Sequence, residues 1–275
     1  MGGSPSIVAF IHGGALDAEL AALLWLTIEA RVPVVVVGDR PAPADALLDA
    51  LLVFRPPDAR VVELAGAKEE FGWLPEAAEL GWRAEAGTEP SGSREPGTRP
   101  ERTILRARDL GGATPGSQAH LAIRALSVGY GMAATLVGSR LEDLFERLGS
   151  GGVGATDDEL SRLGVVLTLS AAGDATRMTA AHYLRPTARD EHGHVQRLPP
   201  AVLAARDQGS DRLEHFAWGV IAELAERTGR APRDFEREQA RHAGDLDALA
   251  RAGVDSSEGV AHAIAASRAT TGRPA

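Results

Sequence analysis

The chain has 275 residues, a formal net charge of −9 and 44% hydrophobic residues, which is typical of a globular protein of one or two domains. It contains no cysteine, which excludes a disulfide scaffold, a thiolate zinc site, an iron–sulfur cluster and a cysteine nucleophile. No apolar run approaches the roughly 18 residues of a membrane span, the N-terminus lacks a basic start and an apolar signal segment, and no basic patch stands out. We therefore expect a cytoplasmic protein that neither inserts into a membrane nor binds nucleic acid.

The basic residues are almost all arginine. Of the 29 lysines and arginines, only Lys68 is a lysine. Any chemistry that needs a lysine side chain must therefore use Lys68 or be absent.

The first predicted elements follow a βαβ order. Asp17 is a plausible N-cap for a helix whose leucines and isoleucine recur at helical spacing up to residue 28. Residues 34–37 are four consecutive valines, which predicts a strand buried on both faces, as in a parallel sheet. A leucine-periodic helix is predicted at 45–54 and a strand at 60–64.

The rest of the chain predicts further α/β structure and then helices. Residues 84–101 are poor in apolar residues and rich in Gly, Pro, Ser, Glu and Arg, which predicts a mobile insert. Two β runs around Gly173-Asp174 predict a hairpin. The remaining predictions are strands at 103–105 and 132–137, helices at 118–128 and 141–148, and C-terminal helices at 212–227, 232–252 and 257–267.

These elements predict a mostly parallel α/β core with a helical C-terminal segment. The core is expected at 1–198, including the insert at 84–101, and the helical segment at 199–275. In open α/β sheets, ligands bind beyond the carboxyl ends of the strands. The loop after residues 34–37 is therefore the first candidate for a functional site.

That loop has the context of a phosphate-binding P-loop, because it joins a buried strand to a leucine-rich helix. The P-loop motif is G-x-x-x-x-G-K-[ST]. The corresponding residues here are Gly38, Asp39, Arg40, Pro41, Ala42, Pro43, Ala44 and Asp45. The first glycine is kept, whereas proline, alanine and aspartate replace the second glycine, the lysine and the hydroxyl residue.

Each replacement removes one part of phosphate binding. Pro41 and Pro43 have no backbone N–H, and such groups form the phosphate cradle. Ala44 supplies no cation, and Asp45 would place a carboxylate close to a phosphate. From the motif alone, an ordinary strand-to-helix turn remains the other interpretation of this loop.

Several segments together resemble a known family, the secretion ATPases of the type II/type IV superfamily, in the same order along the chain. Residues 46–51, A-L-L-D-A-L, look like the start of that family's P-loop helix, and residues 56–62 are similar to the approach to its Asp box. Residues 119–125 resemble the helix after its Walker B strand, and residues 129–139, G-Y-G-M-A-A-T-L-V-G-S, look like its His box. Residues 235–264 resemble its C-terminal helices. These ATPases drive type IV pili, archaella, type II secretion and DNA transfer.

The resemblance implies a RecA-like P-loop core that, in intact members, binds magnesium-ATP and assembles into a hexameric ring. The functional positions depart from the family pattern. Besides the altered P-loop, the Asp-box pair falls on Ala65 and Gly66, the catalytic glutamate falls near Arg108, and the His-box histidine is Val137. The degenerate His box keeps Thr135 and Ser139, and Asp109 is the only acid near the Walker B strand at 103–107.

The loss of four functional positions with the scaffold pattern intact indicates a pseudo-ATPase that needs no cofactor. We expect it to act by protein–protein contact in a secretion or pilus-like assembly, with an active paralogue, a membrane platform protein or a homo- or hetero-oligomeric ring as partner. The alternative is an active ATPase of the same superfamily that uses ATP, Mg²⁺ and Asp109 in a non-standard site. A fold reused for another small ligand also stays open.

Overall fold

A computed structural model of the chain describes residues 4–81, 99–150, 152–172, 175–189, 192 and 195–270. Within these ranges, no helix has both the length and the apolar character that crossing a bilayer requires.

The helices are α1 Ile7–His12, α2 Ala18–Glu29, α3 Pro41–Leu51, α4 Gly116–Ala125, α5 Leu141–Phe145, α6 Asp157–Ser161, α7 Ile221–Arg227, α8 Pro232–Arg251 and α9 Ser257–Thr270. The strands are β1 Val34–Gly38, β2 Arg60–Glu63, β3 Thr103–Ala107, β4 Gly131–Val137, β5 Val165–Ala172, β6 Ala175–Tyr183, β7 Ala188–Arg189, β8 Val195–Gln196, β9 Ala201–Arg206 and β10 Leu213–His215.

Eight strands form one mixed sheet in the order β10-β9-β6-β5-β1-β4-β3-β2. The five strands from β5 to β2 are parallel, and β6, β9 and β10 continue the sheet in antiparallel pairing. The short strands β7 and β8 pair separately. The predicted α/β class and mostly parallel sheet are confirmed, and the antiparallel strands are an addition to the prediction.

Strand β1 lies between β4 and β5, and all five of its residues are buried. Val34 and Val36 pack into one core cluster, and Val35 and Val37 pack into the cluster on the opposite face. The alternation of side chains along a strand explains this division. The prediction of a central, doubly buried parallel strand is confirmed.

Helices cover both faces of the sheet. Residues of α4, α5, α6 and the segment 64–80 pack on one face, and residues of α1, α2, α3, α7, α8 and α9 pack on the other. Helix α2 is buried at ten of its twelve residues, because it lies between the sheet and α8. Asp17 is its N-cap and accepts a hydrogen bond from Leu20 N–H at 2.9 Å, as predicted.

Three predictions about elements need correction. The helix expected to start near residues 43–45 begins at Pro41, because the fixed φ of proline suits the first helical turn. The segment from residue 199 is not purely helical: β9 and β10 join the main sheet, and only α7 fills the end of the helix predicted at 212–227. The helix predicted at 141–148 ends at Phe145 and continues as a π-helical turn.

Most of the predicted insert at 84–101 lies outside the described residues. Its last residues are described and belong to a short 3-10 turn, Pro100–Arg102, that leads directly into β3. The turn of the predicted hairpin, Gly173-Asp174, also lies outside them, while its strands β5 and β6 pair as predicted.

Candidate functional site

The candidate site lies at the carboxyl ends of β1, β3 and β4, where β1 turns into α3. Only Asp39 and Arg40, both exposed, separate the strand from the helix. Pro41 and Pro43 fall within the first turn of α3, so two of its first four residues have no N–H group. This corner therefore offers few of the backbone donors that a phosphate-binding loop requires.

Ala44, at the position of the P-loop lysine, is 1% exposed and belongs to the hydrophobic core. A Cβ placed on Gly38 would lie 3.2 Å from the Ala44 Cβ, so the helix packs directly against the end of β1. A side chain at residue 44 therefore starts inside the protein. An ammonium group there would have to be desolvated, which is costly without a partner.

Asp45 and Asp109 are joined through Thr135, a 3% exposed residue of β4. The Thr135 hydroxyl donates to Asp45 Oδ1 at 3.1 Å and accepts from Asp109 N–H at 3.0 Å. The structure thus brings together three of the residues that the sequence singled out. The Thr135 hydroxyl acts both as a donor and as an acceptor, and these two hydrogen bonds hold α3 in place relative to the loop after β3.

The Asp109 carboxylate is held by the protein itself. Its Oδ1 accepts from Val137 N–H at 3.1 Å and from Arg147 Nη1 at 3.2 Å, and its Oδ2 accepts from Ala113 N–H at 3.2 Å. The backbone of Asp109 has a φ of 42°, a left-handed conformation that aspartate tolerates better than most residues. A Cβ on Gly112 would collide with this carboxylate, so the glycine makes room for it.

Two arginines pair with the remaining acids of the corner. Arg106 of β3 is 3% exposed and donates to Asp49 Oδ1 at 2.6 Å and to Glu63 Oε1 at 2.7 Å. Arg108 donates from Nε to Glu63 Oε1 at 2.7 Å, and its Nη1 lies 3.6 Å from Asp45 Oδ2. The hydrogen bond to Glu63 raises the pKa of the Arg108 guanidinium. Arginine–carboxylate pairs therefore account for the charges beside α3.

The end of the degenerate His box is tied to neighbouring backbone. Gly138 N–H donates to the Gly38 carbonyl at 3.0 Å, which extends the pairing of β4 with β1. Ser139 donates to Asp143 Oδ2 from its N–H at 2.6 Å and from its hydroxyl at 3.2 Å. Hydrogen bonds from the Ser139 backbone lower the pKa of Asp143. Val137, which replaces the histidine, contributes its N–H to Asp109.

The segment at the Asp-box position contains a buried carboxylate that the sequence pattern did not reveal. Glu69 is 4% exposed and accepts from Ala65 N–H at 2.8 Å, Phe71 N–H at 3.1 Å and Trp73 Nε1 at 2.9 Å. These donors compensate its burial. Lys68 is exposed and lies in a 3-10 turn on this segment.

Sequence reasoning missed Arg106 and the Arg147–Asp109 pair. A signal for Arg106 existed, because it is the single charged residue in an otherwise uncharged strand whose residues are all buried. A buried charge in a strand requires a partner, and the register of β2 with β3 places Glu63 directly beside Arg106. No comparable signal exists for Arg147, which reaches Asp109 across 38 residues of chain.

Magnesium-ATP does not fit the residues of this corner. The position of the phosphate-binding lysine is buried in apolar surroundings, the first turn of α3 carries two prolines, and the Asp45 and Asp109 carboxylates already contact guanidinium groups. In the ranges that the structure describes, no three His, Asp or Glu side chains are grouped as metal ligands. The arrangement is that of an ion-pair cluster whose carboxylates already contact arginine side chains.

No family model matches the chain, and a search of the curated proteins finds no match.

Proposed function

We propose that this protein is a pseudo-ATPase subunit of the type II/type IV secretion ATPase class, which acts in the cytoplasm by protein–protein contact. The scaffold supports the proposal, because β1 is a buried strand in the middle of the sheet, has a parallel neighbour on each side and leads into a leucine-rich helix, as the RecA-like core of that class requires. The order of segments along the chain supports it further. The chemistry of the corner argues against catalysis.

The observation that carries the proposal is the two-residue connection between β1 and α3. A phosphate cradle needs a longer loop whose N–H groups converge on the ligand. Here the helix has already begun at Pro41, and Asp45, where a magnesium-binding hydroxyl would be, bonds to Thr135 instead. The rival activity, an ATPase that uses Asp109, is disfavoured because that carboxylate accepts three hydrogen bonds from the protein.

An exposed aromatic pair supports action by contact. Trp218 is 81% exposed and Phe216 is 39% exposed, and both follow β10 at the edge of the sheet. Exposed tryptophan is uncommon on a protein surface without a binding role and is enriched among residues that dominate interfaces. We take this pair as the contact point for a neighbouring subunit of a homo- or hetero-oligomeric ring.

Calorimetry with magnesium-ATP tests the loss of nucleotide chemistry. We expect no heat of binding and no shift in melting temperature at 5 mM magnesium-ATP, and no ATP turnover. Asp109→Asn serves as the matched variant for the rival activity. Micromolar binding by the wild type, or a steady turnover that Asp109→Asn abolishes, would contradict the proposal.

Sedimentation of the full chain, alone and mixed with an intact secretion ATPase encoded in the same genome, tests the contact. We expect association that Trp218→Ser weakens at least tenfold, while Val128→Ser, which changes another exposed apolar residue, leaves it unchanged. If both variants associate equally strongly, or if the wild type does not associate, the proposed contact through Trp218 is wrong.

A further inference from the structure

A cleft of about 320 Å³ lies between α8 and α9, away from the β1–α3 corner. The ring of Trp25 in α2 lines it together with residues of the two helices, among them Leu249 and Ile264. The volume is at the small end of ligand pockets, which span roughly 300–1,000 Å³. Apolar walls with a few polar groups are the usual composition of such a site.

The frame of this cleft is fixed at both ends of α9. Near the start of the helix, the Ser257 hydroxyl donates to the Ser4 carbonyl at 2.8 Å. Near its end, Arg268 donates to the Phe54 carbonyl at 2.7 Å and to Glu29 Oε1 at 3.2 Å. Between these hydrogen bonds, the Ser267 hydroxyl donates to Asp245 Oδ2 of α8 at 3.0 Å. The cleft is therefore preformed rather than a gap beside a loose helix.

One wall of the cleft carries a guanidinium and a carboxylate that point to different partners. Arg241 and Asp245 are four residues apart on α8, so they are neighbours on one helix face. Arg241 Nη2 lies 3.5 Å from His242 Nε2, while Asp245 accepts from Ser267. This differs from the β1–α3 corner, where each guanidinium meets a carboxylate.

One residue that lines the cleft, Trp25, stacks on His242, which is not itself part of the lining. Trp25 and His242 stack with ring centroids 3.8 Å apart, and Trp25 Nε1 and His242 Nδ1 are both buried. Neither nitrogen has a partner among the described residues. The stacked pair therefore gives the cleft a rigid aromatic wall against which an apolar group can pack.

We propose that this cleft binds a free α-amino acid with an apolar side chain. The ammonium and carboxylate of such a ligand are attached to one carbon, so adjacent Asp245 and Arg241 can contact them together. Charge-assisted hydrogen bonds then orient the head group. The side chain packs against Leu249, Ile264 and the edge of the Trp25 ring. The site is independent of the nucleotide corner and of the proposed function.

Titration calorimetry of the full chain with L-leucine tests this proposal. We expect submillimolar binding, at least tenfold weaker in Asp245→Asn and in Arg241→Gln. Asp247→Asn changes an exposed acid on the same helix outside the cleft lining and should bind as the wild type does. Ser267→Ala removes the cross-cleft hydrogen bond without a change of charge, and we expect a loss of threefold or less.

Ligand analogues separate the two head-group contacts. N-acetyl-L-leucine lacks the ammonium, so its weak binding should be the same in the wild type and in Asp245→Asn. Leucinamide lacks the carboxylate and should be equally insensitive to Arg241→Gln. A second readout is the indole ¹⁵N–¹H resonance of Trp25, assigned with Trp25→Phe, which should shift on addition of L-leucine.

Absence of both heat and resonance shift at 10 mM L-leucine in the wild type would overturn the proposal. Equal affinity of the wild type, Asp245→Asn and Arg241→Gln for L-leucine would overturn it as well. Circular dichroism melting of each variant shows whether the fold is kept, and the wild-type titration decides the question even where a variant does not fold.

Discussion

Two regions of this molecule combine arginine with aspartate over a hydrophobic core and arrange them differently. At the β1–α3 corner, Arg106 and Arg108 contact the carboxylates of Asp49, Glu63 and Asp45 at 2.6–3.6 Å. In the cleft between α8 and α9, the guanidinium and the carboxylate lie side by side on one helix and face other groups. The first region is at the place where α/β proteins bind ligands, and the second is not.

From this difference we expect that position in a fold indicates where a ligand can bind, whereas the pairing of charges decides whether it does. An ion pair that is already formed must be broken and resolvated before either group can bind a ligand. Groups that are adjacent but separately oriented need no such rearrangement. Substitutions of Arg106, His242 and Thr135 measure how strongly the stability of each region depends on these contacts.

The largest loss of stability is expected from Arg106→Ala, which removes a buried side chain from the β1–α3 corner. Arg106 is almost completely buried, so the variant loses the packing of its long side chain as well as two ion pairs. Asp49 and Glu63 are each about half exposed and stay hydrated, which limits the electrostatic part. We expect the free energy of unfolding to fall by about 3–4 kcal/mol in urea denaturation.

Arg106→Met is the matched control, because it keeps most of the packing and removes the charge. We expect it to lose less than half as much stability as Arg106→Ala. Equal losses in the two variants would mean that the ion pairs, rather than packing, account for the role of Arg106.

An intermediate effect is expected from the pH dependence of His242, beside the cleft. Burial, followed by the nearby Arg241, lowers the pKa of His242 from 6.5 to about 4. The unfolded chain therefore takes up this proton below about pH 6.5, before the folded protein does, and stability falls as the pH decreases from 6.5 to 4. The loss amounts to about 3 kcal/mol by pH 4, at roughly 1.4 kcal/mol per pH unit.

The measurement is the difference in unfolding free energy between the wild type and His242→Phe from pH 7 to pH 4. Phenylalanine keeps an aromatic ring against Trp25 but does not titrate. Carboxylates with a lowered pKa, such as Asp143, reduce the unfolding free energy of both proteins equally as the pH falls, so their contribution cancels in the difference. Parallel pH profiles would show that His242 is not held neutral by the fold.

The smallest effect is expected from Thr135→Val at the corner. The valine keeps the shape but leaves Asp109 N–H without its acceptor and Asp45 without its hydroxyl donor. Because this network is buried only in part, we expect a loss of about 1–2 kcal/mol in urea denaturation. Thr27→Val, also buried, removes only a hydroxyl bonded to a carbonyl within its own helix and should cost less. A reversed order would contradict the bridging role of Thr135.

The sequence predicts those parts of the fold that depend on local patterns. Four valines in succession predict β1, and Asp17 at the start of an apolar periodic run predicts α2. The strands β9 and β10 were not predicted, because the pattern of 201–206, A-V-L-A-A-R, suits a helix as well as a strand. Its pairing with β6 is a tertiary contact, and such contacts override weak local preference.

The candidate site was likewise predictable only as far as local residue patterns determine it. The departures of residues 38–45 from a P-loop were readable in the sequence, but the packing of Ala44 beneath Gly38 depends on where α3 begins. The cleft was not predicted, because it depends on the packing of α2 against α8 and α9, which follow it by more than 200 residues of chain. Tertiary packing creates such a site, and local residue patterns do not record it.

The burial of α2 beneath α8 has a consequence for synthesis of the chain. Helix α2 is complete by Glu29, yet the helix that covers it runs from Pro232 to Arg251. While the chain is being translated, the face of α2 that α8 covers stays exposed until more than 200 further residues have been added. Surface exposed for this long promotes aggregation and engages chaperones. A nascent chain arrested before α8 should therefore bind trigger-type chaperones, and it should release them once α8 has left the ribosome.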